Sequence, residues 1–272
     1  MNETGSGDPV GLLVLKIGGA AGLQLAAIAQ DAARLARPLV VVHGVSGRMK
    51  QLAEERGLPE RMLVSPSGHH YRHTDEATRA LLVEAAAQIN AEIVEQLRAA
   101  GIPGESFVEP LALRAKRKRA IRAVVEGRPR IIRDDYSGVI QGVAVEGLRS
   151  TLAGGRVPVV PPLAASEDGP LNVDGDRAAA AIAVALKAEG LLILSNVRGL
   201  YRRYPEESSL VAKMSAARLA EASEWAQGRM KRKVLGAQEA LTGGVRWVRI
   251  GDGRRERPIA AALAGEGTCF HA

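Results

Sequence analysis

Lys16 alone interrupts the apolar run Gly11 to Ile17, GLLVLKI, near its end. A lysine there is costly to bury unless something anionic meets it. The turn Gly18-Gly19-Ala20-Ala21-Gly22 follows, and glycines between a strand and a helix let backbone N–H groups approach a phosphate. The lysine precedes the glycines and no Gly-Lys pair occurs in the chain, so this is not a Walker A loop, nor does it fit the dinucleotide fingerprint. Much later, Asn172-Val173-Asp174-Gly175-Asp176 opens an alanine-rich run. It sets two carboxylates at the positive end of the coming helix. For either carboxylate alone, a helix cap within a turn is an equal explanation. Lys231, Arg232 and Lys233 begin a further helix, where cations oppose the dipole and call for a compensating anion. Arg72 adds a guanidinium fork of the kind that grips carboxylates, although a solvated loop arginine explains it as well. His43, at the end of a buried strand, reads as a hydrogen-bonded structural residue before a catalytic one. His69, His70 and His73 have no acidic or cysteine partners at metal-site spacing, so no metal site is expected there.

The elements that position these residues follow one grammar. Gly11 to Ile17 and Pro38 to His43 are buried strands, each closed by a small-residue turn and followed by a helix. These helices are expected to reach about Ala36 and to run from about Arg48 to Arg56. Thr74 is expected to cap a long helix through Leu81, Leu82, Ala85, Ile89, Ile93 and Leu97, stopped by Gly101. Its length, about 40 Å at about 1.5 Å per residue, suits a surface shared with a second subunit, so a homodimer is expected. Arg156 to Pro161 is a strand, Pro162 to Pro170 a loop joining two lobes, and Leu191 to Leu194 and Val245 to Ile250 are later strands. Repeated strand, loop and helix imply an α/β fold with a mainly parallel central sheet in a three-layer sandwich. Its ligands gather beyond the carboxyl ends of the strands.

Composition narrows the classes. The 272 residues carry a net charge of +7 and a pI of about 9.8, which favours an anionic partner. Only 3% of residues are aromatic, too few for base-stacking platforms. One cysteine, Cys269, excludes a disulfide framework and suits a reducing compartment. Residues 1–10 are expected to be a flexible leader, with no cationic apolar signal ahead of a cytoplasmic protein. The densest charge run, Arg114 with Lys116, Arg117, Lys118 and Arg119, is either a solvated hairpin face or a docking surface for an acidic macromolecule. No nucleic-acid-binding signature accompanies it.

Taken in order, VLKIGG, VVHG, YRHTD, LNVDGD, LSNVRGL, GRMKRK, GGVRWV and GEGT resemble the amino acid kinase family, over nearly the whole chain from about residue 11. The chain looks most like the acetylglutamate-kinase branch. Within it, SNVRGL and the basic stretch ahead of DDYSG resemble the kinases that phosphorylate an aminoadipyl or glutamyl group on a small acidic amino-group carrier protein. The resemblance implies the carbamate kinase-like fold, with residues 11–165 as substrate and carrier lobe and 166–272 as nucleotide lobe. It implies ATP with Mg²⁺ as cofactor and phosphorylation of a carboxylate in lysine, and also arginine, biosynthesis. It makes Lys16 and Lys233 the lysines on the transferred phosphoryl group and Asp176 the carboxylate that holds them. It makes Arg72 and Asn172 substrate-binding residues, together with the loop Gly44-Val45-Ser46, whose amides meet substrate and phosphates. Gly18 and Gly19 fall at the phosphates, and Ser195, Asn196, Gly199 and Leu200 line the nucleotide pocket. The run from Arg114 to Arg119 is the carrier docking surface. Relatives have HGG where this chain has His43-Gly44-Val45, and a β-branched residue disfavours positive φ, so a displaced loop or weaker substrate binding is expected. Two alternatives stay open: a kinase of free N-acetylglutamate, and an inactive regulatory or nucleic-acid-binding protein on the same fold.

Overall fold

The computed structural model describes residues 11–66, 70–125 and 128–272. The expected leader and His69 lie outside the described residues, as does the side chain of His70. The chain begins β1 (Leu13–Ile17), α1 (Leu25–Ala32), β2 (Leu39–His43) and α2 (Ser46–Glu55). It continues β3 (Met62–Val64), β4 (His70–Arg72), α3 (Glu76–Ala99) and β5 (Gly104–Ser106). Next come β6 (Leu113–Arg117), β7 (Ile121–Val125), β8 (Arg128–Ile132) and β9 (Gly138–Val143). α4 (Val145–Ala153), β10 (Val157–Val160), β11 (Leu163–Ala164) and β12 (Leu171–Asn172) lead into α5 (Gly175–Ala185) and β13 (Gly190–Ser195). The chain ends β14 (Lys213–Ser215), α6 (Leu219–Trp225), α7 (Met230–Thr242), β15 (Trp247–Asp252), α8 (Pro258–Leu263) and β16 (Thr268–His271).

An eight-stranded sheet in the order β14-β16-β15-β13-β1-β2-β10-β5 forms the middle layer. Of its pairings, β15 with β16 is antiparallel and the others are parallel. β1 lies between β13 and β2, with Ile17 level with both Leu194 and His43. One sheet therefore runs through the two expected lobes. Alternation along the strands sorts side chains to two faces. Leu12, Val14, Val40 and Val42 pack with α5 and α7 residues such as Ala179, Ile182, Val234 and Ala237. Leu13, Leu15, Leu39 and Val41 pack with Ile28 of α1, Ile93 and Leu97 of α3, and Ile259 of α8. The same alternation sends Lys16 toward α5 and His43 toward α3. The three-layer sandwich is thus the one the sequence pattern predicts.

Some local expectations are corrected. α1 stops at Ala32, and the bonds from Arg34 and Leu35 back to Asp31 and Ala32 turn the chain toward Pro38 well before Ala36. The cap of α3 is Asp75, whose carboxylate accepts from the Thr78 N–H at 2.9 Å. Thr74 is buried one residue earlier and serves another network. The stretch from Pro162 to Pro170 is more than a loop, because it holds β11, which pairs antiparallel with β12 just beyond it. The basic β6 pairs with β9, while β7 and β8 form a separate hairpin on a sheet of order β4-β3-β7-β8.

Candidate active site

The side chains of Lys16 and Lys233 converge on one carboxylate. Lys16 Nζ lies 2.8 Å from Asp176 Oδ1, and Lys233 Nζ lies 3.2 Å from Asp176 Oδ2. All three residues are buried. They come from the end of β1, the first turn of α7 and the first turn of α5. Asp174 makes that geometry possible by capping α5. Its Oδ1 accepts the N–H groups of Asp176 and Arg177, each at 3.0 Å, and its Oδ2 lies 3.4 Å from Arg232. At Gly236, α7 approaches so closely that an added Cβ would lie 3.0 Å from the Asp176 carbonyl oxygen. Burial alone would raise the Asp176 carboxyl, but Lys16 and Lys233 together hold it down at about 2. Burial pushes Lys233 below the usual lysine range, Asp176 opposes that shift, and Lys16 adds to it. Two buried cations share one buried anion, so the centre has an excess positive charge that a phosphoryl group would neutralise.

The two glycine loops meet backbone to backbone. A Cβ on Gly19 would lie 2.4 Å from the Val45 nitrogen, and one on Gly44 would lie 2.6 Å from the Gly19 nitrogen. The Gly47 N–H donates to the Gly19 carbonyl at 2.6 Å. The amides of Gly18 and Gly44 extend the sheet, donating to Leu194 and Ile17 at 2.9 Å each. They are therefore committed within the protein rather than aimed at a ligand. Val45 adopts φ −133°, open to any residue, and its side chain is buried among Met49, Leu52, Leu81 and Leu82. The displaced loop expected from a valine is thus corrected: positive φ is not required at this position.

Arg72 and Asn172 are tied to neighbours on the substrate side. Arg72 contacts Met49 Sδ at 2.7 Å and pairs with Glu60. Asn172 donates to the Thr74 hydroxyl at 2.9 Å, and the Thr74 N–H donates to the buried Asp135 carboxylate at 3.1 Å. Ser195 ends β13 and is buried, with its carbonyl accepting from the Gly253 N–H at 2.8 Å, while Asn196 is exposed. Leu200 packs in the core, and its N–H donates to the Thr268 hydroxyl at 2.8 Å. A Cβ on Gly199 would lie 2.5 Å from the same hydroxyl, so Thr268 fixes this loop.

The basic run divides. Arg114, Lys116, Lys118 and Arg119 are exposed. Arg117 is half-buried: it donates to the Asp135 carbonyl at 2.9 Å and to the Arg133 carbonyl at 3.2 Å. Its guanidinium also stacks on Tyr136 at 3.7 Å, with Arg79 at 4.0 Å from that ring. Its assignment to the docking surface is corrected, because its donors are spent in holding the hairpin. Lys118 is exposed at its surface side, but the protein packed around its ammonium, with Arg177 and Arg232, pushes it below the usual lysine range, against Asp135 and Asp174.

Two buried polar residues hold the structure from positions that no motif in the sequence marks. Asn90 interrupts the apolar stripe of α3 and is wholly buried, and that interruption was its available signal. Asp31 is buried too and accepts from the N–H groups of Ile259 and Ala260 at 2.8 Å each, capping α8 from α1. Among the described residues, no group of three or more acidic, histidine or cysteine side chains could hold a metal ion. No helix among them is long and apolar enough to cross a membrane.

The model of the amino acid kinase family matches residues 11–252. A protein of Deinococcus radiodurans named LysW-aminoadipate kinase is 42% identical over 266 residues, 95% of this chain and 91% of that protein. One of the same name from Thermus thermophilus is 40% identical over 267 residues, 94% of this chain and 99% of that protein. Among solved structures, N-acetylglutamate synthase from Neisseria gonorrhoeae, complexed with coenzyme A and N-acetyl-glutamate, has a TM-score of 0.79 at 28% identity. That similarity covers 97% of this chain, which spans 60% of the synthase chain. A carbamate kinase from Giardia, at 14% identity and a TM-score of 0.67 over 96% of this chain and 98% of that one, shares the fold.

Proposed function

The chain belongs to the amino acid kinase family and is an ATP-dependent kinase; from that premise we propose that it phosphorylates the side-chain carboxylate of 2-aminoadipate attached to a small acidic carrier protein, a step of lysine biosynthesis. Glutamate on the same carrier is the second substrate of this reading, which would add arginine biosynthesis. The relatives' names support the carrier, LysW, and the acceptor. The single observation that carries the chemistry is the buried Lys16–Asp176–Lys233 cluster with its excess positive charge.

A carboxylate acceptor has an ordinary pKa of about 4 and is already ionised at neutral pH, so no general base is needed. One acceptor oxygen attacks the γ-phosphorus, the bond to the bridging oxygen breaks, and ADP leaves with that electron pair. An acyl phosphate is the product. Lys16 and Lys233 neutralise charge on the transferred oxygens, and Asp176 keeps two mutually repelling ammonium groups in place. Asp176 is fully taken up by the lysines, so we assign Mg²⁺ to the phosphates of ATP rather than to a protein site. Arg72 and Asn172 are proposed to hold the substrate side, with Gly19, Val45 and Ser46 lining the approach. Ser195, Asn196 and the loop fixed at Gly199 and Leu200 are proposed for the nucleotide. Homodimerisation along α3 and a cytoplasmic location complete the proposal.

The test is ATP-dependent acyl-phosphate formation trapped with hydroxylamine, run on free N-acetylglutamate, free N-acetylaminoadipate and the carrier-linked aminoadipyl and glutamyl forms. Turnover confined to carrier-linked acceptors is expected. Turnover on free N-acetylglutamate would transfer the enzyme to the alternative reading.

A further inference from the structure

The last side chain of β2 is enclosed where the mechanism has given it no task. His43 is wholly buried, and strand alternation turns it away from Lys16 and onto α3. Asn90 of α3, also wholly buried, places its Nδ2 3.2 Å from His43 Nε2 and 2.9 Å from the Val159 carbonyl. The carbonyl of Val159 can only accept, so the Asn90 atom facing it is the amide nitrogen, a donor. His43 Nε2 must then accept, which leaves the proton on Nδ1. That nitrogen lies 3.4 Å from the Gly44 carbonyl. Gly44 is the residue whose backbone presses on Gly19, and its loop opens α2. The carbonyl of His43 lies 3.7 Å from where a Cβ on Gly175 would stand, beside Lys16 Cε at 3.5 Å from the same point.

Resting on the kinase reading, we infer that Asn90 and His43 are positioning residues. Asn90 selects the Nδ1–H tautomer of His43, and His43 in turn holds the Gly44-Val45-Ser46 loop against Gly19 at the lysine pair. Neither residue touches the substrates. Their contribution is the setting of the loop, from the face of the sheet opposite the Lys16 side chain.

The test uses the full chain with ¹⁵N-labelled histidine, and three variants: Asn90→Leu, Asn90→Ser and His43→Leu. In the wild type, the His43 ring is expected to show a protonated Nδ1 and a bare Nε2 from about pH 5 to 8. In Asn90→Leu that tautomer preference is lost. kcat for acyl-phosphate formation falls about tenfold or more, while ATP affinity measured by calorimetry stays within about twofold. Asn90→Ser keeps a polar group too short to reach the ring, and gives the same pattern should the leucine variant not fold. His43→Leu in the Asn90→Leu background adds little further loss, because the two act as one unit. A folded Asn90 variant with wild-type kcat, or a wild-type ring protonated at Nε2, would overturn the inference. Absence of acyl phosphate from the wild type would instead sink the kinase reading and leave the tautomer measurement to decide the hydrogen-bond network.

Discussion

At the residue scale, Asp176 and His43 are opposite cases of buried ionisation. Replacing Asp176 by Asn leaves two buried lysines with no counter-charge, and losing one partner of a buried pair costs about 3–5 kcal/mol. Asp176→Asn is therefore expected to lower the melting temperature sharply and to recover part of the loss on addition of ATP. If it melts like the wild type, Asp176 does not hold the lysines. Lys16→Ala or Lys233→Ala should cut kcat by two orders of magnitude or more with a smaller change in KM; an unchanged kcat would remove the assigned role. His43 is lowered from 6.5 to about 4, chiefly by burial, with the Gly44 carbonyl opposing and Lys16 adding to the shift. Its folded pKa is depressed, so the unfolded chain binds a proton more readily between those two values. Stability is then full above about pH 6.5 and is lost as pH falls toward 4, by about 2 kcal/mol between pH 8 and 5. Urea unfolding at those two pH values should show this slope, and His43→Gln should reduce it whatever its absolute stability.

At the element scale, the Gly44-Val45-Ser46 loop shows what a sequence conveys and what it withholds. Lys16 at a strand end and glycines beside it were legible, because burying a charge and tightening a turn leave marks on residue type. Which neighbour each side chain meets was not legible. Thr74 and Asp75 are both good caps on paper, and only the Asp135 carboxylate waiting for the Thr74 N–H decides between them. Arg117 looked like its exposed neighbours because it shares their charge, yet alternation along β6 sets it on the inward side with Leu113 and Ala115, while Arg114 and Lys116 face out. Val45 read as a misfit, yet it fills the space between α2 and α3. Val45→Gly is accordingly expected to destabilise the fold by about 2–3 kcal/mol from lost burial and added chain freedom. Denaturant titration measures this, and a more stable variant would contradict the packing described.

At the scale of the whole molecule, the net charge of +7 has a place as well as a value. Arg114, Lys116, Lys118 and Arg119 are exposed on and beside the β6–β9 pair, whereas Arg117 is held by it. Reversing Lys116 and Arg119 to glutamate should lower kcat/KM for the carrier-linked acceptor about tenfold at low salt, with ATP binding unchanged. The deficit should shrink as ionic strength rises, and a deficit independent of salt would refute docking there. Arg117→Glu should instead lower the melting temperature, since it strips three carbonyl and ring contacts from the hairpin. One consequence belongs to synthesis rather than to the finished enzyme. Lys16 leaves the ribosome about 160 residues before the carboxylate that neutralises it. At ~5–20 residues per second, its strand end waits roughly 10–30 s for a partner. The nascent N-terminal half cannot bury its own reactive corner, so chains truncated before α5 are left with an uncompensated cation and exposed to proteolytic clearance.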